Sequence, residues 1–290
     1  MKDTFKDYLK DKGLTKASVQ SYLWSINKFF HWLKSEDISV ESLEYSQALR
    51  YVKHLKNRGL KQRTIIHYIG VVKSYYHYLV QDNQLSYTPF ARLELRSGKR
   101  QRLRKTLEVD LLEALYQNYP KTSPENRRDR MILGLLVYQG LHTTDLKSLT
   151  TDSIDLTLGK VTILETTKTA TRTLNLNPIQ ILALKQYLEE DRQQIHQVAY
   201  HCKQLFFSSR GKLTLRSTLT NIIKTLRKLH PEFTTLQTIR NTCITYWIQT
   251  EGLRKAQYKA GHRYISSTEC YKPIKDDSLF TMVSQFHPIK

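Results

Sequence analysis

Four residues in the second half of the sequence have side chains and neighbours that suit a functional site. In chain order they are Lys168, Arg240, His262 and Tyr271. Arg240 borders the apolar face of the predicted helix LQTIRNTCITYWIQ, where its stem can pack while the planar guanidinium is held for a bidentate partner such as phosphate. His262 directly follows a glycine, and Tyr271 lies nine residues later. Three of them have an ordinary alternative when taken alone: Lys168 as a lysine of a surface turn, Arg240 in a structural salt bridge, and Tyr271 as one of 18 tyrosines.

A fifth candidate, His142, lies in a break between two predicted helices, within the stretch YQGLHTTDLKSL. The apolar run MILGLLVY ends at residue 138, and Gly140 interrupts the helical pattern. Thr144 is a suitable N-cap for the helix that follows. A break after a buried helix can project a side chain into a cleft. His142 is therefore either a junction residue or part of a site.

Apolar residues recur at helical spacing through the first 95 residues. They predict helices at 3–11, 18–34, about 46–59 and 62–81, which together would form a four-helix unit. In the third of these helices, Leu49 is predicted to face inward. The aromatic residues of this unit are predicted to form its core rather than a base-stacking platform; they are Trp24, Phe30, Trp32, Tyr75, Tyr76 and Tyr78.

Beyond residue 107 the pattern predicts more helices and a small sheet. The helices are predicted at 108–118, 126–138, 144–150, 178–197, 214–229, 235–250 and 253–260, with a further short helix that Ser266 caps and that carries Tyr271. KVTILE (160–165) and RTLNLN (172–177) alternate apolar and polar residues around a short turn, which predicts a β-hairpin with Lys168 in its turn. LFFSS (205–209) is a candidate third strand.

Composition restricts the classes of protein to consider. Forty per cent of the 290 residues are apolar and 25% are charged, as in an ordinary globular protein. No apolar run approaches the roughly 20 residues that span a bilayer, and MKDTFKDYLKDKG lacks the apolar stretch of a signal peptide. The cysteines are Cys202, Cys243 and Cys270, without CxxC spacing, so neither a disulfide framework nor a zinc site is indicated. These features predict a cytoplasmic protein with reduced thiols.

Positive charge is concentrated in one part of the chain. The formal net charge is +20, and residues 51–106 hold 13 basic and 2 acidic residues, whereas residues 1–50 are nearly balanced. Such a concentration favours binding to the phosphates of nucleic acid over a merely solubilising surface. The candidate DNA contacts are Lys61, Arg63, Lys73, Arg96, Lys99, Arg100, Arg102, Arg104, Lys105 and, near the hairpin turn, Arg172.

The segment LRSGKRQRLRKTL (95–107) lacks an apolar stripe and is predicted to be an extended linker. The predicted organisation is therefore a helical domain at 1–95, a basic linker at 96–106 and a second domain at 107–290. A disordered spacer is compatible with the same linker residues until DNA is present.

Taken together, these pieces resemble the tyrosine recombinase (phage integrase) family over nearly the whole chain. The motifs that carry the resemblance are YQGLHTTDLKSL, a lysine on a β-turn, an arginine in an amphipathic helix, and GHRYISSTECY, in this order. The resemblance implies a mainly α-helical fold with a small antiparallel β-sheet, an α+β class, in which a helical core-binding domain and a catalytic domain form a C-shaped clamp on double-stranded DNA. It implies site-specific recombination or integration, as carried out for mobile genetic elements, and a nucleoid-associated location.

The resemblance also implies a role for each matching residue. Tyr271 would attack the scissile phosphate and form a 3′-phosphotyrosyl link. Arg240 and His262 would stabilise charge on the non-bridging oxygens, and Lys168 would protonate the departing 5′-oxygen. Because the link preserves the bond energy, neither ATP nor a metal cofactor is expected.

Two positions depart from the pattern of the family. His142 stands where the first active-site arginine is expected, although the acidic residue three positions later is kept as Asp145. Gln237 stands where a histidine usually precedes the second arginine. A histidine is only partly charged near pH 7 and lacks the bidentate fork of arginine. Losing one preorganised donor of this kind typically lowers the rate about 10²–10³-fold.

These departures leave three functional hypotheses. His142, helped by a basic neighbour such as Lys147, does a reduced version of the arginine's work in an active recombinase. Alternatively, catalysis has decayed and the protein binds DNA for regulation or architecture. A third hypothesis is a monomer that relaxes DNA in the manner of a type IB topoisomerase. In the first case the resemblance implies a tetramer on two DNA duplexes. The apolar segment 278–286 would then dock on a neighbouring protomer, or instead pack on its own domain.

Overall fold

The computed structural model describes residues 2–95, 105–166 and 169–272, except for the side chains of residues 2, 3 and 200. The chain divides into two compact units, residues 1–100 and residues 101–290. This division falls within the segment 96–106 that the sequence predicts as a linker. Within the described residues, no helix is long and apolar enough to cross a membrane.

The described part of the N-terminal unit, residues 2–95, contains four helices, as predicted. They are α1 (Lys2–Asp11), α2 (Lys16–Ser35), α3 (Tyr45–Asn57) and α4 (Gln62–Gln81). The Thr15 side chain accepts a hydrogen bond from the Ser18 N–H and so caps the start of α2. Phe29 of α2 is fully buried and packs edge-on against Tyr51 of α3 and Tyr76 of α4. Rings from different helices thus form the centre of this unit.

Two predictions for this core are wrong. Trp24 is 55% exposed, and the Lys28 ammonium lies 3.7 Å from the centre of its ring. Leu49 is likewise exposed on α3. Trp24 is adjacent to the buried Ser25, and Leu49 is adjacent to the buried Ala48. Because adjacent residues of a helix point in different directions, Trp24 and Leu49 face away from the core.

The C-terminal unit contains nine helices among its described residues. They are α5 (Val109–Gln117), α6 (Pro124–Tyr138), α7 (Asp145–Ser148), α8 (Pro178–Gln186), α9 (Arg192–Ile195), α10 (Arg216–Leu229), α11 (Leu236–Glu251), α12 (Leu253–Ala260) and α13 (Ser266–Glu269). The predicted helix 178–197 is less regular than expected, because a π-helical turn, Tyr187–Asp191, separates α8 from α9.

Three antiparallel strands form a small sheet in the order β1 (Ile154–Asp155), β2 (Lys160–Ile163) and β3 (Arg172–Asn175). The predicted hairpin is β2–β3, with Val161 opposite Leu174. The predicted third strand at 205–209 is wrong. Its apolar residues Leu205, Phe206 and Phe207 are all fully buried, so they lack the one-sided exposure of an edge strand and instead fill the core.

Helix α6 crosses the interior of this unit and determines where the following turn lies. Ser123 caps its first turn and Pro124 occupies the first position. Every residue from Arg128 to Val137 is buried, which is expected of a helix packed on all sides. Because α11 packs against it, the chain that leaves α6 at residue 139 emerges beside α11.

Candidate active site

The turn after α6 is shaped by a glycine. Gly140 has a φ of +55°, and a Cβ at this position would lie 2.6 Å from the Trp247 ring. Only glycine fits both the left-handed conformation and the close approach of the ring. The turn leads directly to His142, so the break seen in the sequence positions this histidine.

His142 is half-buried and held by its neighbours. Its backbone N–H donates to Asp145 Oδ2 at 3.1 Å. Its ring Nδ1 accepts from the Thr144 N–H at 3.2 Å and lies 2.7 Å from Thr144 Oγ1. An accepting Nδ1 places the proton of the neutral imidazole on Nε2. The ring therefore has one donor, where an arginine would have a fork.

Arg240 joins the turn after α6 to the end of α12. It lies on α11 and is 4% exposed. Its guanidinium donates to Gly140 O and to Ala260 O, and one Nη atom lies 3.3 Å from His262 Nε2. Burial lowers the pKa of Arg240 from its ordinary value. Asp145 and Tyr271, which are acidic groups, act to raise the same pKa, but their effect is smaller. The sequence predicted that Arg240 would lie at the edge of the apolar face of this helix, whereas in the structure the whole residue is buried.

His262 and Tyr271 form the other side of the same cluster. Helix α12 ends at Ala260 and is capped by Gly261, whose φ of +68° is left-handed. His262 Nδ1 lies 2.9 Å from Thr268 Oγ1, and its ring stacks on the Tyr271 ring with centroids 5.8 Å apart. Tyr271 is 7% exposed and lies two residues beyond α13, not within it as predicted. Contacts thus connect Arg240, His262 and Tyr271 in series.

Gln237 lies one turn before Arg240 on α11 and is exposed. Its side-chain amide donates to Asn241 Oδ1 at 3.0 Å. The Asn241 amide in turn donates to the backbone carbonyl of Lys105 at 3.1 Å. Gln237 therefore belongs to a hydrogen-bonded series that reaches the start of this unit.

Lys168 lies outside the described residues, but the chain on either side of it is described. The Thr166 N–H donates to Thr169 O at 2.8 Å. Thr169 Oγ1 donates to Asp145 Oδ1 at 3.0 Å, and the Ala170 N–H donates to Gly261 O at 2.9 Å. The hairpin is thus attached both to the His142 turn and to the His262 turn.

The prediction that Arg172 contacts DNA is wrong. Arg172 is buried, because it alternates with exposed residues along β3 and shares the inward face with Leu174. Its Nη2 donates to Asp145 Oδ2 at 2.7 Å, with both side chains 0% exposed. The alternation in RTLNLN indicates this orientation, because Arg172 and Leu174 lie on one face. A guanidinium enclosed in this way is not available to a DNA phosphate.

The remaining candidate DNA contacts differ in their surroundings. Lys61 and Arg63 are exposed at the start of α4, and Lys105 is exposed at the start of the C-terminal unit. Lys73 is half-buried, and its ammonium donates to Leu93 O at 2.7 Å. The candidates Arg96, Lys99, Arg100, Arg102 and Arg104 lie outside the described residues, as does the segment 278–286.

Comparison with known proteins identifies the family to which this chain belongs. Residues 105–277 match the model of the phage integrase family, and residues 3–83 match the model of the phage integrase N-terminal SAM-like domain. The chain therefore belongs to the phage integrase family, as its motifs indicated.

Relatives and structural neighbours of this chain include tyrosine recombinases and integrases. The chain is 27% identical to tyrosine recombinase XerD of Listeria innocua over 99% of both chains. It is 25% identical to tyrosine recombinase XerC of Staphylococcus haemolyticus, covering 98% of this chain and 96% of that one. The fold is shared with XerH site-specific recombinase bound to palindromic difH (TM-score 0.75, 17% identity, 92% of this chain and 79% of that one). It is also shared with Tn1549 transposon integrase bound to circular intermediate DNA (TM-score 0.68, 17% identity, 97% and 98%).

Proposed function

We propose that this protein cleaves and rejoins DNA strands at specific sites through a transient covalent bond to Tyr271. The observation that carries the proposal is the series of contacts from Arg240 through His262 to Tyr271. A buried guanidinium, an imidazole and a phenol in contact are the groups that a phosphoryl transfer to tyrosine requires.

In the proposed reaction, Tyr271 Oη forms a bond to the scissile phosphorus and gives up its phenolic proton to water. The bond between phosphorus and the 5′-oxygen breaks, and Lys168 gives a proton to that oxygen. Arg240 and His262 stabilise the charge on the non-bridging oxygens, since both are rigidly held before substrate binds. Attack by a 5′-hydroxyl reverses these steps and joins the strand to its new partner.

His142 would supply the remaining donor to the phosphate from the turn after α6. Its Nε2 is the ring atom that carries the proton in the neutral form, because Nδ1 accepts from Thr144. A single donor gives weaker stabilisation than a charged, bidentate arginine. We therefore propose an active but slow enzyme. Gln237, which is exposed, keeps its place beside the proposed site as a neutral hydrogen-bonding group that cannot exchange a proton.

We also propose that double-stranded DNA is the substrate and that the chain acts as a tetramer on two duplexes. The XerH and Tn1549 structures are DNA complexes, and this chain shares their fold. The exposed Lys61, Arg63 and Lys105 and the basic residues of 96–104 would contact the phosphates. The apolar segment 278–286 would dock on the neighbouring protomer, and the protein would be associated with the nucleoid.

The experiment that tests catalysis traps the covalent intermediate. The full chain is incubated with nicked suicide substrates made from its own flanking DNA, and denaturing gels are examined for protein joined to a labelled strand. We expect an adduct that Tyr271→Phe abolishes, because phenylalanine lacks the attacking oxygen. DNA binding without an adduct on any of these substrates would contradict the proposal.

A second candidate function is DNA binding for regulation or architecture without catalysis. The observation that favours it is the state of His142, which is half-buried with its Nδ1 bonded to Thr144. If the phosphate finds no donor there, the same fold still binds DNA. The suicide-substrate experiment distinguishes the two, since the second function gives specific binding and no adduct.

A further inference from the structure

Asp145, the first residue of α7, is fully buried. Its Oδ2 accepts from the His142 N–H at 3.1 Å and from Arg172 Nη2 at 2.7 Å. Its Oδ1 accepts from Thr169 Oγ1 at 3.0 Å. One carboxylate thus holds the His142 turn, strand β3 and the end of the hairpin loop together.

Arg172 extends this network to the His262 turn. Its Nε donates to Lys259 O at 2.9 Å, near the end of α12. The turn that follows begins with Gly261, where a Cβ would clash with the Arg172 guanidinium. Gly261 O accepts from the Ala170 N–H, two residues before Arg172. The backbone before His262 is therefore packed directly against Arg172 and its strand.

We propose that Arg172 is a positioning residue that fixes the His142 turn relative to the His262 turn. It does not reach the substrate, because its side chain is 0% exposed. Its planar fork instead donates in fixed directions to Asp145, which begins α7 directly after the His142 turn, and to Lys259 O, in the last turn of α12 before the His262 turn. Because catalytic groups must match a transition state within a fraction of an ångström, a small shift between these turns lowers the rate of cleavage.

This inference rests on the proposed strand cleavage and is tested with two variants. Arg172→Lys keeps the charge but cannot donate to both turns in the same geometry. Thr169→Val keeps the shape of the side chain and removes the hydrogen bonds that its Oγ1 makes to Asp145 and to Thr166 Oγ1. It therefore remains informative if the buried lysine prevents folding. Single-turnover cleavage of a nicked suicide substrate at saturating protein gives the rate constant, and fluorescence anisotropy gives the Kd for the same DNA.

We expect the rate constant to fall about 10²-fold in Arg172→Lys and about 10-fold in Thr169→Val, with Kd changed less than about twofold. A merely structural role would reduce the amount of active protein, and hence the amplitude, but would leave the rate constant unchanged. The matched control is Arg128→Lys. Arg128 is equally buried and paired with Asp129, but lies ten residues, about 15 Å, before the end of α6.

Two results would overturn the inference while strand cleavage itself stands. The first is an unchanged rate constant in a folded Arg172→Lys, or in Thr169→Val if the lysine variant does not fold. The second is an Arg128→Lys control that lowers the rate constant as much as the variants do. A wild-type protein that forms no adduct would instead refute strand cleavage, and the positioning role with it.

Discussion

At the scale of single residues, His142 stands where the pattern of the family has an active-site arginine. Two contacts fix the turn that carries it: Gly140 permits the close approach of Trp247, and Asp145 accepts a hydrogen bond from the backbone N–H of residue 142. Only the side chain departs from the pattern of the family. Because the scaffold is retained, we expect the position to accept the larger, charged side chain.

His142→Arg is therefore predicted to raise the cleavage rate about 10–100-fold, since it replaces a single donor by a permanently charged fork. The measurement is single-turnover adduct formation on the suicide substrate at neutral pH. Thr143→Arg serves as the control, because it adds the same charge one position away, and we expect no comparable gain from it. Equal effects of the two variants, or none from His142→Arg in a folded protein, would show that position 142 does not face the phosphate.

At the scale of elements, α6 is the helix whose packing sets the position of that turn. Its Gly134 lies against the Tyr116 ring, and a Cβ there would be 2.9 Å from Cε2. In contrast, Gly70 of α4 has nothing within 4 Å of the same position. A larger side chain would therefore clash at Gly134, whereas there is room for one at Gly70.

We predict that Gly134→Ala lowers the free energy of unfolding by about 1–3 kcal/mol, because the ring must move within a packed interior. Gly70→Ala should instead raise it by up to about 1 kcal/mol, because alanine is the better helix former. Calorimetric unfolding of the full chain measures both changes. A stabilised Gly134→Ala variant would mean that α6 has room to shift and does not fix the turn after it.

The sequence predicts most helices well and fails where packing rather than periodicity decides. Helical spacing locates α4 and α12 at the bounds the structure has, 62–81 and 253–260. It fails at LFFSS, whose three apolar residues are all buried. A continuous apolar run has no alternation of apolar and polar residues, so periodicity cannot distinguish a strand from an irregular core segment. It fails again at Arg172, where the positive charge suggested a DNA contact although the alternation of β3 points the side chain inward.

At the scale of the whole molecule, positive charge is distributed unevenly along the chain. Residues 51–106 carry 13 basic and 2 acidic residues, whereas residues 1–50 carry 8 and 7. If the excess tracks phosphates, binding releases counterions from the DNA and therefore weakens as the salt concentration rises.

Replacing Arg100, Arg102 and Arg104 together by glutamine is predicted to reduce the slope of log K against log salt by about 2–3, or about 0.9 for each phosphate that is no longer neutralised. Fluorescence anisotropy with a duplex at several salt concentrations gives the slope. The control triple, Lys6, Lys10 and Lys12 to glutamine, removes the same charge from exposed positions in the balanced segment. Slopes that change equally in both triples would show that only net charge matters.

The sequence by itself determined the class of this protein. Its helical periodicity, its basic segment and the order of its lysine, arginine, histidine and tyrosine motifs are local or ordered features that need no coordinates. The tertiary structure decided which of these side chains meet. Arg172 lies 27 residues from Asp145 and 87 residues from Lys259 along the chain, and the three come together only when α6, the hairpin and α12 pack. Whether an arginine binds a phosphate or a buried carboxylate depends on that packing, because burial requires a charged group to have a partner inside the protein.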